Sequence, residues 1–317
     1  MHNPQATALT HAEIFGNRVR KNFDRLAKGF ARQHVDVFRL YDRDIPEVRA
    51  VADFYAGRIV VGVYDRDQTN DIDNYAEQLG LAAARALGID KSWVHTRHRH
   101  TRPEIGERYR KQANLGQRIE VCEGSLRFWV NLHDYLDTGL FGDHRPTRQW
   151  LQQHSAGKDA LNLFAYTGSF SVAAAAGQAK STTTVDTSTT YLGWFADNLA
   201  LNQLTAPQHT TAEVDARHYL DWAARHGRRF DVVLCDPPSF SDRPDGDFVV
   251  QRDHRALVDQ CLRVLQPGGV VLFSTNHQRF EPQLEGLAAV CLETTAQTVP
   301  ADYRNRQVHR SWRLQLA

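Results

Sequence analysis

ALNLFAYTGSFSVAAAA, residues 160–176, holds a strand, a turn and a helix in immediate succession. Ala160–Ala165 is a short apolar run of the kind buried in a sheet, and Ser169–Ala176 has helical composition. Gly168 is all that remains of a glycine-rich turn between them, with no G-x-G-x-x-G pattern. Small residues here let a ligand approach the backbone closely. An ordinary helix start capped by Thr167 or Ser169 explains the same residues equally well.

The same grammar continues downstream from Lys158. Strands are predicted at Ser181–Asp186, His209–Glu213, Phe230–Cys235 and Val270–Ser274, the last after Gly268-Gly269. Helices are predicted at Thr190–Asn202, Ala216–Arg225 and Val250–Leu265. Further units near 281–290, 291–298 and 308–316 close the chain. Such alternation predicts an α/β, Rossmann-like, doubly wound sheet ending in an antiparallel hairpin, with ligands at the carboxyl ends of its strands.

Upstream the pattern is different. Residues 11–33 read as an amphipathic helix, with Phe15, Val19, Phe23, Leu26 and Phe30 on one stripe. Arg18, Arg20, Lys21, Arg25 and Lys28 fill the rest of its surface. Beyond it, strand-like runs (Val37–Tyr41, Ile59–Tyr64, Arg118–Cys122, Leu126–Asn131) surround a helix near Asn74–Leu87, with Gly88 at its C-cap position. A small α+β domain follows from this, carrying a His/Arg-rich long loop. The expected division is 1–35 for the basic helix, 36–140 for the small domain and 141–317 for the sheet domain.

Composition bounds the rest. A chain of 317 residues with 42% hydrophobic content can bury a full core. Its apolar runs are too short to span a bilayer, and no basic-then-apolar leader opens it. Cys122, Cys235, Cys261 and Cys291 are widely spaced, which argues against a zinc ribbon or a redox dithiol and fits a cytoplasmic setting. The net charge of +1 hides local excess: residues 95–111 hold six Arg/Lys and three His against two Glu. His95, His98 and His100 suggest a metal, yet Arg97, Arg99, Arg102 and Arg108 beside them would repel a cation. Phosphate contact suits this segment better, and no metal is expected.

Candidate chemistry sits at strand ends. In such a fold an acidic residue at Asp186 accepts hydrogen bonds from both ribose hydroxyls of an adenosine, although it could also cap the next helix. Asp215 stands where the adenine amino group is met, and it too could be an N-cap. The most telling motif is Asp236-Pro237-Pro238-Ser239-Phe240, directly after the strand Phe230–Cys235. Two prolines stiffen the loop and cannot continue a ladder. Asp236 can then face a planar base beside a cofactor, and Phe240 can stack on it for roughly 1–3 kcal/mol.

With these motifs placed, the chain resembles class I ribosomal RNA methyltransferases that join a small central domain to a C-terminal catalytic domain. It looks most like the guanine-N7 half of the bifunctional 23S rRNA methyltransferase K/L family. The likeness runs from Phe15-Gly16-Asn17-Arg18, through Leu136–Phe141, Ser181–Asp186 and Val250–His254, to Asn305-Arg306-Gln307-Val308-His309. It implies S-adenosylmethionine (SAM) as cofactor, with Asp143 and Arg145 over its methionine end. It further implies that Asn162, Phe164, Tyr166, Thr167 and Gly168 line the cofactor. Asp186 would then hold the ribose, Asp215 the adenine, and Asp236 to Phe240 the target base. RNA contacts are expected from Arg18, Arg20, Lys21, Arg97, Arg99, Arg102, Arg108, Arg110 and Lys111. The family's usual N-terminal half, with an RNA-binding THUMP domain and guanine-N2 activity, has no counterpart in these residues. RNA docking is therefore expected from the small domain, with a separate guanine-N2 enzyme as a candidate partner and 23S rRNA, naked or in an assembly intermediate, as substrate.

Guanine N7 offers a lone pair, so in-line methyl transfer to it needs no base, only positioning of a flipped guanine. Three other readings stay open. A cytosine-C5 methyltransferase would need a cysteine nucleophile; Cys235 adjoins the motif, but alternation along a strand turns it to the face opposite Asp236. A nicotinamide dehydrogenase shares the fold but lacks its glycine fingerprint here. A non-catalytic RNA-binding protein is the last.

Overall fold

A computed structural model describes residues 4–64, 69, 72–99, 113–241 and 247–316. The chain divides into two units, Met1–Thr138 with Ala301–Asn305, and Gly139–Pro300 with Arg306–Ala317. Among the described residues no helix is long and apolar enough to cross a membrane.

The first unit runs α1 (Pro4–Arg32), β1 (Val37–Asp42), β2 (Ala50–Tyr55), β3 (Arg58–Tyr64), α2 (Tyr75–Leu87), β4 (Val94–Arg99), β5 (Ile119–Glu123) and β6 (Leu126–Val130). The stripe on α1 does what its spacing implies. Phe15 and Val19 are fully buried, and Phe23, Leu26 and Phe30 pack on the same core from half-buried positions. The helix also starts about two turns earlier than expected, at Pro4, and so buries Ala8 as well. Helices α1 and α2 approach closely at Gly16, where an added Cβ would lie 3.0 Å from the Ala82 carbonyl oxygen. Strands β1, β2 and β3 form an antiparallel meander, and the α2 crossover brings β4 in parallel to β3. Gly88 ends α2 at φ 67°, the left-handed C-cap expected of it.

Two features depart from the sequence expectation. Residues 95–99, read there as the start of the His/Arg-rich loop, belong to β4. An edge strand is covered on one side only, so it tolerates His, Arg and Thr at positions that a central strand would fill with aliphatics. His100, Arg102, Arg108, Arg110 and Lys111 lie outside the described residues. The second departure is Ala301–Asn305, distant in sequence yet part of this unit: the Arg39 amide donates to Asp302 at 2.8 Å and the Asn305 amide to Asp42 at 2.6 Å.

Arg39 is the electrostatic centre of this unit. Its guanidinium meets Asp53 through two bonds of 2.8 and 3.0 Å and lies 4.3 Å over the Tyr303 ring. Both side chains of the ion pair are about nine-tenths buried, at 12% and 11% exposure. Removing one partner of such a pair strands the other charge without water. Asp53→Ala should therefore cost about 3–5 kcal/mol, read as a fall in the urea midpoint; a loss below about 1 kcal/mol would mean that Asp42 and Tyr303 already suffice for Arg39.

The second unit runs α3 (Arg145–His154), β7 (Asp159–Leu163), α4 (Ser169–Ala176), β8 (Ser181–Asp186), α5 (Thr189–Leu201), β9 (His209–Glu213), α6 (Ala216–Arg225), β10 (Phe230–Cys235), β11 (Phe240–Ser241), β12 (Phe248–Val249), α7 (Val250–Arg263), β13 (Leu265–Thr275), β14 (Ala289–Glu293), α8 (Thr295–Thr298) and β15 (Arg310–Leu316). Its seven strands lie in the order β14-β15-β13-β10-β7-β8-β9. The five strands from β13 to β9 are parallel, and β14 and β15 close the other edge as an antiparallel pair. This is the α/β doubly wound sheet that the sequence predicts. Helix α3 escapes the sequence reading because only Leu151 among its apolar residues is fully buried. Register matters most here: Leu163, Val185, Cys235 and Phe273 lie level across β7, β8, β10 and β13. Their next residues, Phe164, Asp186, Asp236 and Ser274, therefore line one rim.

Candidate active site

The turn from β7 into α4 bends sharply. Phe164, Tyr166 and Gly168 all have positive φ, at 54°, 52° and 71°. Only glycine adopts this freely, and a Cβ on Gly168 would also come within 2.3 Å of the Phe195 ring. The surroundings hold the other two in place. The Tyr166 amide donates to Asp186 Oδ2 at 2.9 Å, and the Thr167 hydroxyl donates to the Gly139 carbonyl at 2.6 Å. Asn198 reaches the Thr167 carbonyl at 3.1 Å. Asn162 is 3% exposed and donates to Ser171, which also accepts from Thr184. It therefore acts on the site as a strut linking β7, α4 and β8.

Asp186 stands at the tip of β8, half-buried, with the Ser188 amide on Oδ1 at 2.9 Å and Tyr166 on Oδ2. A carboxylate has about four acceptor positions, so this bracing orients Asp186 and suits a vicinal diol. Asp215 caps α6: it accepts from the Arg217 amide at 2.8 Å and from the Arg217 guanidinium at 3.0 and 3.1 Å. Burial pushes its carboxyl up, but the bonds from Arg217 outweigh this and hold it below the usual range. The N-cap alternative for Asp215 is thus realised in the structure.

After β10, Asp236 takes a 2.6 Å bond from the Ser274 hydroxyl on Oδ1. Ser239 meets Asn276 at 3.0 Å, and Phe240 pairs with Val249 while remaining 39% exposed. Cys235 faces the opposite way. It is fully buried in the core with Cys261 nearby, and burial pushes its thiol well above the ordinary value.

Asp143 belongs to a cluster that sequence reading did not assemble. His309 Nδ1 lies 2.8 Å from Asp143 Oδ2, and the His309 ring stacks on His144 with centroids 4.1 Å apart and planes at 8°. His144 Nε2 lies 3.6 Å from Asp236 Oδ2. His309 is visible in the sequence only within its Asn305–His309 run, with no spacing to suggest a partner 166 residues away. Arg145, at the start of α3, is 5% exposed.

The expected phosphate contacts divide by burial. Arg97 is 5% exposed and donates to the Leu132 carbonyl at 2.9 Å and to that of Leu136, so its guanidinium is committed to loop carbonyls. This corrects its assignment to RNA, since a buried donor network has no face to offer. Arg99 is half-buried along Gly62. Arg18 is partly covered and pairs with Asp44 at 3.7 Å, whereas Arg20 and Lys21 are exposed on α1.

A rim of braced carboxylates where a doubly wound sheet changes direction defines a nucleotide-cofactor enzyme of the α/β class. The chain belongs to the S-adenosylmethionine-dependent methyltransferase family, whose sequence profile matches residues 36–309. Its cofactor is S-adenosylmethionine. Two of the similar solved structures are SMU.776, a candidate methyltransferase with bound S-adenosylhomocysteine (SAH), and a candidate SAM-dependent methyltransferase from Streptococcus mutans. Each is 23% identical with a TM-score of 0.76, covering 96% of this chain and 82% or 81% of its own. The M. jannaschii tRNA m1G37 methyltransferase is 14% identical with a TM-score of 0.55, over 94% of this chain and 78% of its own. At these identities the likeness is one of fold.

His144 makes the site's acid response predictable. Its pKa is pushed from 6.5 down to about 4, first by burial and then by His309, with Asp236 and Asp143 pulling the other way. The unfolded chain therefore binds a proton between about pH 6.5 and 4 that the folded chain does not, and stability falls as pH falls through that window. His95 adds to the same slope, held near 4 by burial and by His133. We expect the urea midpoint to drop across this window and His144→Phe to make the drop shallower. An unchanged slope would show that His144 is not held neutral by the fold.

Proposed function

We propose that this protein methylates N7 of a guanine in 23S rRNA, in the cytoplasm, by direct in-line transfer to a base flipped into the site. The observation that carries the reading is the rim around Asp236: a stiff, braced carboxylate beside an exposed Phe240, with Cys235 turned into the core. The buried thiol disfavours the covalent cytosine-C5 route, which needs a thiolate beside the base. The family assignment disfavours a dehydrogenase. Two further supports are the resemblance to the guanine-N7 rRNA enzymes and a fold shared with an enzyme named for tRNA guanine methylation.

When bound, S-adenosylmethionine supplies an electrophilic methyl group on a sulfonium sulfur. Asp186, Asp215 and the turn Phe164–Gly168 are the residues we assign to its nucleoside end, and Asp143 with Arg145 to its methionine end. Asp236 accepts from the N–H edge of guanine, Pro237 and Pro238 keep the loop rigid, and Phe240 stacks on the ring. Since N7 carries no proton, positioning does the work, and misplacement by about 1 Å costs on the order of a hundredfold. His144, with its low pKa, is a poor proton acceptor, which suits a reaction that releases no proton from the base.

Labelled S-adenosylmethionine and unmodified 23S rRNA should give incorporation that maps, by N7-methylguanine-specific strand cleavage, to one guanosine. Incorporation without cleavage would overturn the N7 assignment. Asp236→Ala should lower turnover on the order of a hundredfold; near-normal turnover would remove Asp236 from the role given to it.

For docking, the exposed basic side of α1 is the part of the described surface we assign to RNA, through Arg20 and Lys21 with Arg25 and Lys28 beside them. Each phosphate neutralised on a single strand contributes about 0.7 to the slope of log affinity against log salt. Arg20→Ala with Lys21→Ala should therefore flatten that slope by about 1–1.5 and leave SAH affinity unchanged. A salt slope identical to wild type would place the docking surface elsewhere.

A further inference from the structure

His144 has no part in the chemistry just described, yet it is 5% exposed and sits between two assigned carboxylates. Its Nε2 is 3.6 Å from Asp236 Oδ2 and 3.9 Å from Asp143 Oδ2, while its Nδ1 is buried with no hydrogen-bond partner. A neutral imidazole carries its proton on one nitrogen only. A lone pair on Nε2 would face two acceptor-only carboxylates, so the proton belongs on Nε2 and the orphaned lone pair on Nδ1.

The ring is held firmly. His309 lies flat against it, fixed in turn by Asp143 on Nδ1 at 2.8 Å and by Thr298 on Nε2 at 3.0 Å, and Phe170 meets it edge-on at 5.2 Å. Asp143, His144 and His309 place their donor atoms within 4.8 Å of one another, a spacing that also suits a metal. Rings stacked at 8° point their nitrogens along parallel planes, and one ion cannot lie in both. The arrangement is built for orientation.

We propose that His144 is the positioning residue of Asp236: its Nε2–H, aimed by the stack on His309, completes with the Ser274 hydroxyl a two-sided clamp on the Asp236 carboxylate. The clamp deepens the role proposed above for Asp236 and rests on it. At 3.6 Å the contact is too long for a hydrogen bond, and catalytic bonds of this kind often shorten only when a site fills. Neutrality is essential, because an imidazolium would pair with Asp236 and compete with the base for it. The charged and titratable groups that bear on the ring are His309, Asp236, Asp143 and Arg148.

Two measurements test this. Imidazole 15N NMR of the full chain, with the His144 signal identified by its loss in His144→Gln, should show a neutral Nε2–H tautomer at pH 6 that Asp236→Asn perturbs. An Nδ1–H tautomer, or a charged ring at pH 6, would overturn the proposal without any substrate being needed. In the methyl-incorporation assay, His144→Phe keeps a stacking ring but loses the donor. It should lower kcat between about ten- and a hundredfold at unchanged KM for SAM, with His144→Gln restoring most of the loss. It should add nothing in an Asp236→Ala background. Normal kcat for His144→Phe, or effects that multiply with Asp236→Ala, would refute the clamp. Methylation at a position other than N7 would change the function proposed above and leave this comparison intact.

Discussion

The parallel register of β7, β8, β10 and β13 is the constraint from which the site follows. With Leu163, Val185, Cys235 and Phe273 level, the next residue on each strand's path, Phe164, Asp186, Asp236 or Ser274, comes to the same rim. Asp236 then meets Ser274 from the adjacent strand at 2.6 Å with no long excursion of either chain. The same alternation sends the Cys235 side chain to the opposite face, into the core. One register thus exposes a carboxylate and buries the thiol beside it, and a slip of a single residue would exchange them.

On this rim the protein spends polar bonds on stiffness. Asn162, Ser171 and Thr184 are buried and bond to one another beneath the turn, so the backbone above them has a fixed floor. Positive φ at Phe164 and Tyr166 is costly for residues with side chains, and it persists only where the surroundings dictate it. Here the Tyr166 amide is tied to Asp186, and the same carboxylate is thereby oriented. Strain in the turn and orientation of the acid are two aspects of one contact.

The legible parts of this molecule are those set by local pattern. Strands β8, β9 and β10 and helices α4 and α6 fall at the residues expected: β10 reads as a short apolar run, and the Thr-rich β8 and β9 have β-branched composition between helical segments. Asp186 and Asp236 were legible because one ends a predicted strand and the other directly follows one. Apart from α3, whose apolar stripe is too sparse to read, what escaped has a non-local cause. His144 and His309 meet only through the fold, Ala301–Asn305 joins a unit from which the sequence separates it, and β4 carries charge because it lies at an edge. The same locality explains why Asp215 could be placed but not resolved between cap and ligand contact: both uses ask for an aspartate at the start of α6.

Basic residues show how far burial decides meaning. Arg39 and Arg97 look in the sequence like Arg20 and Arg25, yet the first two are desolvated. A desolvated guanidinium must be paired or bonded to be tolerated at all. Arg39 is committed to Asp53 and Arg97 to the carbonyls of Leu132 and Leu136. Those charges hold a unit together and are unavailable to a phosphate without unfolding it. On the outer side of α1 the basic residues stay exposed even where they are bonded, Arg20 to Asp24 and the Ala86 carbonyl and Arg25 to Asn22. A net charge of +1 therefore says little about this chain; the charge that can act on a polyanion is the part the fold leaves in water.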